Sequence, residues 1–182
     1  MSERDPALEP FDALIGTWDT EAKHRLFDEV VSGSVTFEWW EGGHFLVMRS
    51  YADHELFPDG ICVIGAPEEG DGLVMEYFDS RGVRRTYGVS LEDGVLRMWR
   101  DAPGFDQRYS ATLGPDRFEG VFDLAESPGD WQEDLKVTYR RRSWGAAGTT
   151  HSSGRSGLFN PRRTEMNAAL PAISGNQNRI SL

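Results

Sequence analysis

The chain has 182 residues, 38% of them hydrophobic and 12% aromatic, which is enough apolar material for one domain with a substantial core. Its net charge of −11 is uneven: residues 1–142 carry 15 basic and 29 acidic side chains, a net of −14, and residues 143–182 carry 4 and 1, a net of +3. So acidic a body argues against nucleic acid as a partner, and the lack of any run of about 18 apolar residues argues against a membrane span.

The N-terminus, Met1-Ser2-Glu3-Arg4-Asp5-Pro6, is polar where a secretion signal needs a basic start and an apolar stretch, so the expected compartment is the cytoplasm. A lone cysteine, Cys62, allows no internal disulfide and no cysteine-based metal site. Its place in Ile61-Cys62-Val63-Ile64 reads as a buried structural thiol.

In chain order, Pro6 to Leu14 predicts a short helical turn whose Phe11 and Leu14, with Ile15, offer an apolar patch fit to plug one end of a barrel. Ten strands are then predicted, at Gly16–His24, Gly33–Trp40, His44–Ala52, Ile61–Ala66, Leu73–Asp79, Val83–Leu91, Val95–Asp101, Phe105–Leu113, Phe118–Leu124 and Trp131–Arg141. Turn residues separate them, among them Glu41-Gly42-Gly43, Ser80-Arg81-Gly82 and Glu92-Asp93-Gly94. Links this short make sequence neighbours sheet neighbours, which gives an antiparallel meander. Ten strands left flat would carry two exposed edges, so the prediction is an all-β, up-and-down barrel closed by its first and last strands, with a lumen. Residues 1–142 are expected to form this barrel domain. Residues 143–182, low in apolar content and without a period, are expected to be a disordered tail, with 168–173 its one docking candidate.

Three segments resemble known proteins. Leu14-Ile15-Gly16-Thr17-Trp18-Asp19-Thr20-Glu21 resembles the Gly-x-Trp opening of lipocalins and of nitrobindin-like haem barrels. Trp40 to Val47 and Tyr77 to Val83 resemble an uncharacterised bacterial family of small lipocalin-like (calycin) proteins, and the likeness spans Leu14 to Arg141. It implies a lipocalin or fatty-acid-binding-like barrel around an apolar or haem-like ligand. The chain departs from the nitrobindin-like pattern in two places. Thr20 and Ala22 stand where later glycines are expected, and Trp131 to Arg140 contains no histidine, so haem iron lacks its expected axial ligand. No cofactor is therefore predicted, and haem is disfavoured.

The four histidines read as scattered: His24 and His44 near strand ends, His54 in a loop between Asp53 and Glu55, and His151 in the tail. No pair has ligand spacing within one element, so no metal site is expected. Asp79 reads as structural, through an Asx-type bond or an ion pair in Asp79-Ser80-Arg81-Gly82.

The arginines are more informative. On the seventh strand Val95, Arg97, Trp99 and Asp101 alternate with Leu96, Met98 and Arg100, so either face turned inward carries an arginine. The sixth strand favours Arg85 and Tyr87 pointing in, and the third places Arg49 with Phe45, Val47 and Tyr51. Interior arginines are costly unless paired. They meet either Glu21, Glu76 or Asp123, or the acidic group of a ligand. The expected ligand-binding set is Trp18, Arg49, Tyr77, Arg85, Tyr87, Arg97, Trp99 and Tyr109.

The function read from this set is non-catalytic carriage or sensing of a small hydrophobic or amphipathic molecule. An enzyme using the same cavity is the alternative, an isomerase, cyclase or hydrolase with Glu76, Asp79, Asp101 or His44 as base. A plain interaction module, dimerising through an outer barrel face, is the third reading.

Overall fold

The computed structural model describes residues 5–143, and the predicted tail from residue 144 onward lies outside the described residues. A 3₁₀ helix, Pro6–Leu14, opens the fold. Asp5 caps it, its carboxylate accepting the Ala7 N–H at 2.9 Å, and Pro6 supplies a preset φ in the first turn. Three residues per turn line Leu8, Phe11 and Leu14 on one face, and all three are fully buried. Gly16, with φ of 121°, makes the bend from this helix into the sheet, a conformation that a side chain would strain.

Ten antiparallel strands come after it: β1 (Gly16–His24), β2 (Val30–Trp39), β3 (Leu46–Ala52), β4 (Gly60–Gly65), β5 (Leu73–Asp79), β6 (Arg84–Glu92), β7 (Val95–Arg100), β8 (Asp106–Thr112), β9 (Arg117–Ala125) and β10 (Trp131–Arg141). Each pairs with its sequence neighbours, and β1 closes on β10 from Trp18 opposite Arg141 to His24 opposite Leu135. Closure leaves no sheet edge. Asp93 and Gly94, both at positive φ, form the two-residue turn that sets β6 against β7.

The strand count and closure are as expected, and two strand starts differ by more than one residue. β2 starts three residues before Gly33, because Val30 and Val31 pair with Lys23 and Ala22. β3 starts two residues after His44, because the turn takes up His44 and Phe45: Trp40 N–H reaches the Phe45 carbonyl at 2.8 Å.

Alternating strand direction gives the barrel two distinct ends. At one, the helix buries Leu8, Phe11 and Leu14 in the core cluster that also holds Trp18, Phe37, Leu46, Leu91 and Phe118. The Trp18 ring meets Phe118 edge-on at 4.9 Å, and its indole N–H donates to the Leu14 carbonyl at 2.8 Å. Arg141 lies over the Trp18 ring, 4.1 Å from its centroid, and donates to the carbonyls of Ala13 and Ile15 at 2.7 Å, satisfying the helix end. This end is plugged.

Candidate functional site

The opposite end holds the polar interior. Inward positions there are Tyr77 and Asp79 on β5, Arg85 and Tyr87 on β6, Arg100 on β7 and Gln107 on β8, placed together because odd strands end where even strands begin. Several inward side chains keep partial solvent contact, among them Met48, Tyr77, Arg85, Met98, Gln107 and Phe122. On the inner wall of a closed sheet, that contact means unfilled lumen space.

Two arginines converge in it. The Arg85 guanidinium lies over the Phe105 ring at 4.7 Å, and Arg100 approaches the same ring at 6.0 Å while donating to the Phe105 carbonyl at 3.2 Å. Gln107, directly opposite Arg100 in the β7–β8 ladder, accepts the Tyr87 hydroxyl at 2.7 Å and Arg85 Nη1 at 3.5 Å. Burial raises the Tyr87 phenol pKa, and the charges of Arg85 and then Arg100 oppose this only in part. Among the described residues, neither guanidinium has an ion-paired carboxylate.

The carboxylates expected as their partners lie on the outer surface. Glu21 pairs with Arg140 at 2.9 Å, Glu76 with Arg84 at 3.2 Å, and Asp123 with Arg108 at 3.5 Å. Asp79 is inside but saturated. Its fully buried carboxylate accepts the Tyr77 hydroxyl at 2.9 Å, the Arg81 side chain at 2.6 Å, and the N–H groups of Arg81 and Val83 at 2.9 and 3.2 Å. That makes Asp79 the clamp of the β5–β6 turn, as its spacing suggested.

Four of the eight expected ligand residues face the lumen: Tyr77, Arg85, Tyr87 and Tyr109. Tyr109 packs on Phe122 at 4.4 Å and lies against Gly120, where a β-carbon would collide with its ring. Four do not. Trp18 is spent in the plug. Arg49 points outward and pairs with Glu38 at 3.2 Å, because β3 turns Leu46, Met48 and Ser50 inward. Arg97 and Trp99 are also outward. Trp99 covers Gly88 across the β6–β7 ladder and remains 44% exposed. The interior arginine of β7 is Arg100, not Arg97.

The bases considered for catalysis do not assemble. Glu76 is outside, Asp79 is saturated, Asp101 is exposed, and His44 lies in the β2–β3 turn at the plugged end. Burial pushes the Cys62 thiol up to about 12, which keeps it protonated and inert.

The histidines correct the reading of the sequence. His24 and His54 are brought into one cluster at the open end, with Phe27 and Phe57 between them: ring centroids are 5.4 Å from His24 to Phe27 and 5.6 Å from His54 to Phe57. A bulge leaves Asp134 out of the β9–β10 ladder and aims its carboxylate at His24 Nε2, 3.5 Å away.

A separate cleft of about 750 Å³ lies at the plugged end, lined by Pro10, Ala13, Leu91, Asp93, Leu113 and Arg141 among others. Its one cation, Arg141, is spent on backbone carbonyls, including that of Pro115 at 2.8 Å, so it offers no anchor. Among the described residues no helix is long and apolar enough to cross a membrane.

No protein-family model matches the chain, and no curated protein matches it in sequence. Solved structures do match. Rv2717c from M. tuberculosis superimposes with a TM-score of 0.56 at 14% identity, over 78% of this chain and 100% of that one. Fatty-acid-binding protein 1 of Echinococcus granulosus superimposes with a TM-score of 0.52 at 15% identity, over 72% and 99%. At such identities the likeness is one of fold, a closed antiparallel β-barrel.

Proposed function

We propose that the lumen binds one small amphipathic molecule with an acidic head and an apolar body, and that the protein is a non-catalytic carrier or sensor. The observation that carries this reading is the convergence of Arg85 and Arg100 on Phe105, Tyr87 and Gln107 with no carboxylate partner. A guanidinium held inside a barrel without a counter-ion is costly, and a ligand carboxylate completes it. Tyr77, Tyr109, Met48, Met98 and Phe122 give the apolar body its walls. The fold shared with a protein named for fatty-acid binding supports the same class of ligand.

The reading includes no haem. β10 offers no histidine, and lumen-facing His24 accepts the Leu26 N–H on Nδ1 at 3.1 Å, which puts its proton on Nε2, where iron would need a lone pair.

The test is titration of the full chain with 11-(dansylamino)undecanoate, with native mass spectrometry of freshly purified protein alongside. Saturable one-to-one binding that weakens roughly 10- to 100-fold in the R85M/R100M double variant supports the reading, the loss expected for an acid head without its charged donors. An unchanged affinity in that variant, or no binding, overturns it.

A further inference from the structure

The sequence contains one short pattern twice, His24-Arg25-Leu26-Phe27 and His54-Glu55-Leu56-Phe57, and the fold sets the first, running from the last residue of β1 into the β1–β2 link, beside the second in the β3–β4 link at the open end. Their backbones are alike. Phe27 N–H reaches the His24 carbonyl and Phe57 N–H the His54 carbonyl, each at 3.1 Å. So are their side chains: His24 Nδ1 accepts the Leu26 N–H at 3.1 Å, and His54 Nδ1 accepts the Leu56 N–H at 3.2 Å. The turns then interlock, with Phe27 6.0 Å from Phe57, His24 6.2 Å from Phe57 and Phe27 6.4 Å from His54.

An imidazole nitrogen that accepts a hydrogen bond carries no proton, so both turns require a ring unprotonated at Nδ1. We propose that the two turns form a proton-released clasp over the open end of the lumen, in which protonation of His24 frees Phe27 from Phe57. Once Nδ1 carries a proton, it opposes the N–H of Leu26 or Leu56 donor to donor, and the turn loses its side-chain bond. Turning the ring over does not help, because a carbon then faces the N–H.

The charges around the rings set the direction. His24 is 4% exposed, and its Nε2 has no hydrogen-bond partner. It faces Asp134 of β10 at 3.5 Å, with Arg25 of its own turn bound to the same carboxylate at 2.9 Å. His54 Nε2 meets Glu29 of the β1–β2 link at 3.0 Å. Asp134 can receive the His24 imidazolium once it has given up its turn. For His24, burial lowers the pKa from 6.5, Asp134 raises it and Arg25 lowers it, with the net result below 6.5. The neutral ring therefore belongs to the closed state: the clasp holds above pH 6.5 and weakens as pH falls below it. As a gate the clasp rests on the lumen-binding reading above. As a pair of turns it does not.

Two measurements on the full chain keep these apart. The first is amide exchange at Leu26 and Leu56 between pH 7.5 and 5.5, corrected for intrinsic chemistry. Protection at Leu26 is expected to fall by up to about tenfold per pH unit as pH drops below 6.5. The second is stopped-flow uptake of 11-(dansylamino)undecanoate, expected to quicken over the same range. In H24N/H54N the asparagine amide oxygen still accepts the N–H two residues on but does not titrate, so both profiles are expected to be flat. Unchanged protection at Leu26 in the wild-type chain overturns the clasp, even if the double variant does not fold. A pH-insensitive uptake rate overturns its role as a gate. If the probe binds at no pH, the lumen reading fails, and the exchange data still decide the clasp.

Discussion

Arg85 and Arg100 stand on adjacent strands and close on one ring, their guanidinium carbons 4.7 and 6.0 Å from the centroid of Phe105. Arg49 and Arg97, which the sequence made equal candidates, point outward. Fluorescence titration with 11-(dansylamino)undecanoate separates the two pairs. R85M and R100M are each expected to weaken binding roughly tenfold, whereas R49A and R97A stay within about twofold. The exposed Arg49–Glu38 pair contributes about 0–1 kcal/mol to stability, so R49A is also expected to unfold in urea close to the wild type.

Trp18 anchors the plug through a hydrogen bond as well as by its bulk. Trp18→Phe keeps most of the ring but leaves the Leu14 carbonyl without the donor 2.8 Å away. A loss of about 1–3 kcal/mol in urea unfolding is expected, with dansylundecanoate affinity unchanged because the plug lies at the other end from the arginines.

Two glycines sit under aromatic rings on opposite sides of the wall. A methyl group at Gly120 meets the Tyr109 phenol inside, where Tyr109 is 4% exposed and has nowhere to go. At Gly88 it meets Trp99 outside, where the indole can swing into water. Thermal unfolding is expected to show G120A losing about 1–3 kcal/mol and G88A less than about 1 kcal/mol.

Acid unfolding reports on Asp79. Burial pushes its carboxyl up, but the hydrogen bonds from Arg81, Tyr77 and the N–H of Val83 outweigh this and hold its pKa below 3.8. A carboxylate depressed in the folded state stabilises it above the unfolded value, and that contribution disappears as pH falls through the folded value. The stability of the wild type is therefore expected to drop as pH falls below about 4, and D79N to be less stable at pH 7 with a flatter acid limb.

Barrel closure ends at Arg142, whose N–H donates to the Thr17 carbonyl at 2.8 Å and whose side chain pairs with Asp19. A chain stopped after Ser143 is expected to give the far-ultraviolet circular dichroism of the full-length barrel and to unfold cooperatively.

Part of the site is legible in the sequence. Leu91, Val89, Tyr87 and Arg85 form the more apolar face of β6, which places Arg85 and Tyr87 inside. The two-residue turn at Asp93-Gly94 then sets Leu91 opposite Leu96, and residues in register share a face, so Leu96, Met98 and Arg100 also turn inward. Arg100 is thus recoverable from the turn, although strand composition alone leaves β7 ambiguous. Arg49 offers no such help. The link from Trp40 to Phe45 is longer, and both faces of β3 are apolar enough to be inner.

By itself the sequence determined the ten-strand meander and, through the liability of two open edges, its closure. It also marked Pro6 to Leu14 as a short helical turn that would cap one end. Both rest on local chemistry: turn residues at short intervals, and an apolar patch next to a proline-led start. Only the tertiary structure decided which arginines meet in the lumen, that Glu21, Glu76 and Asp123 lie outside it, and that His24 and His54, thirty residues apart, share one cluster. A period-two pattern fixes which residues share a face but not which face turns inward. Contacts between loops at one end exist only once closure has brought the strand ends together.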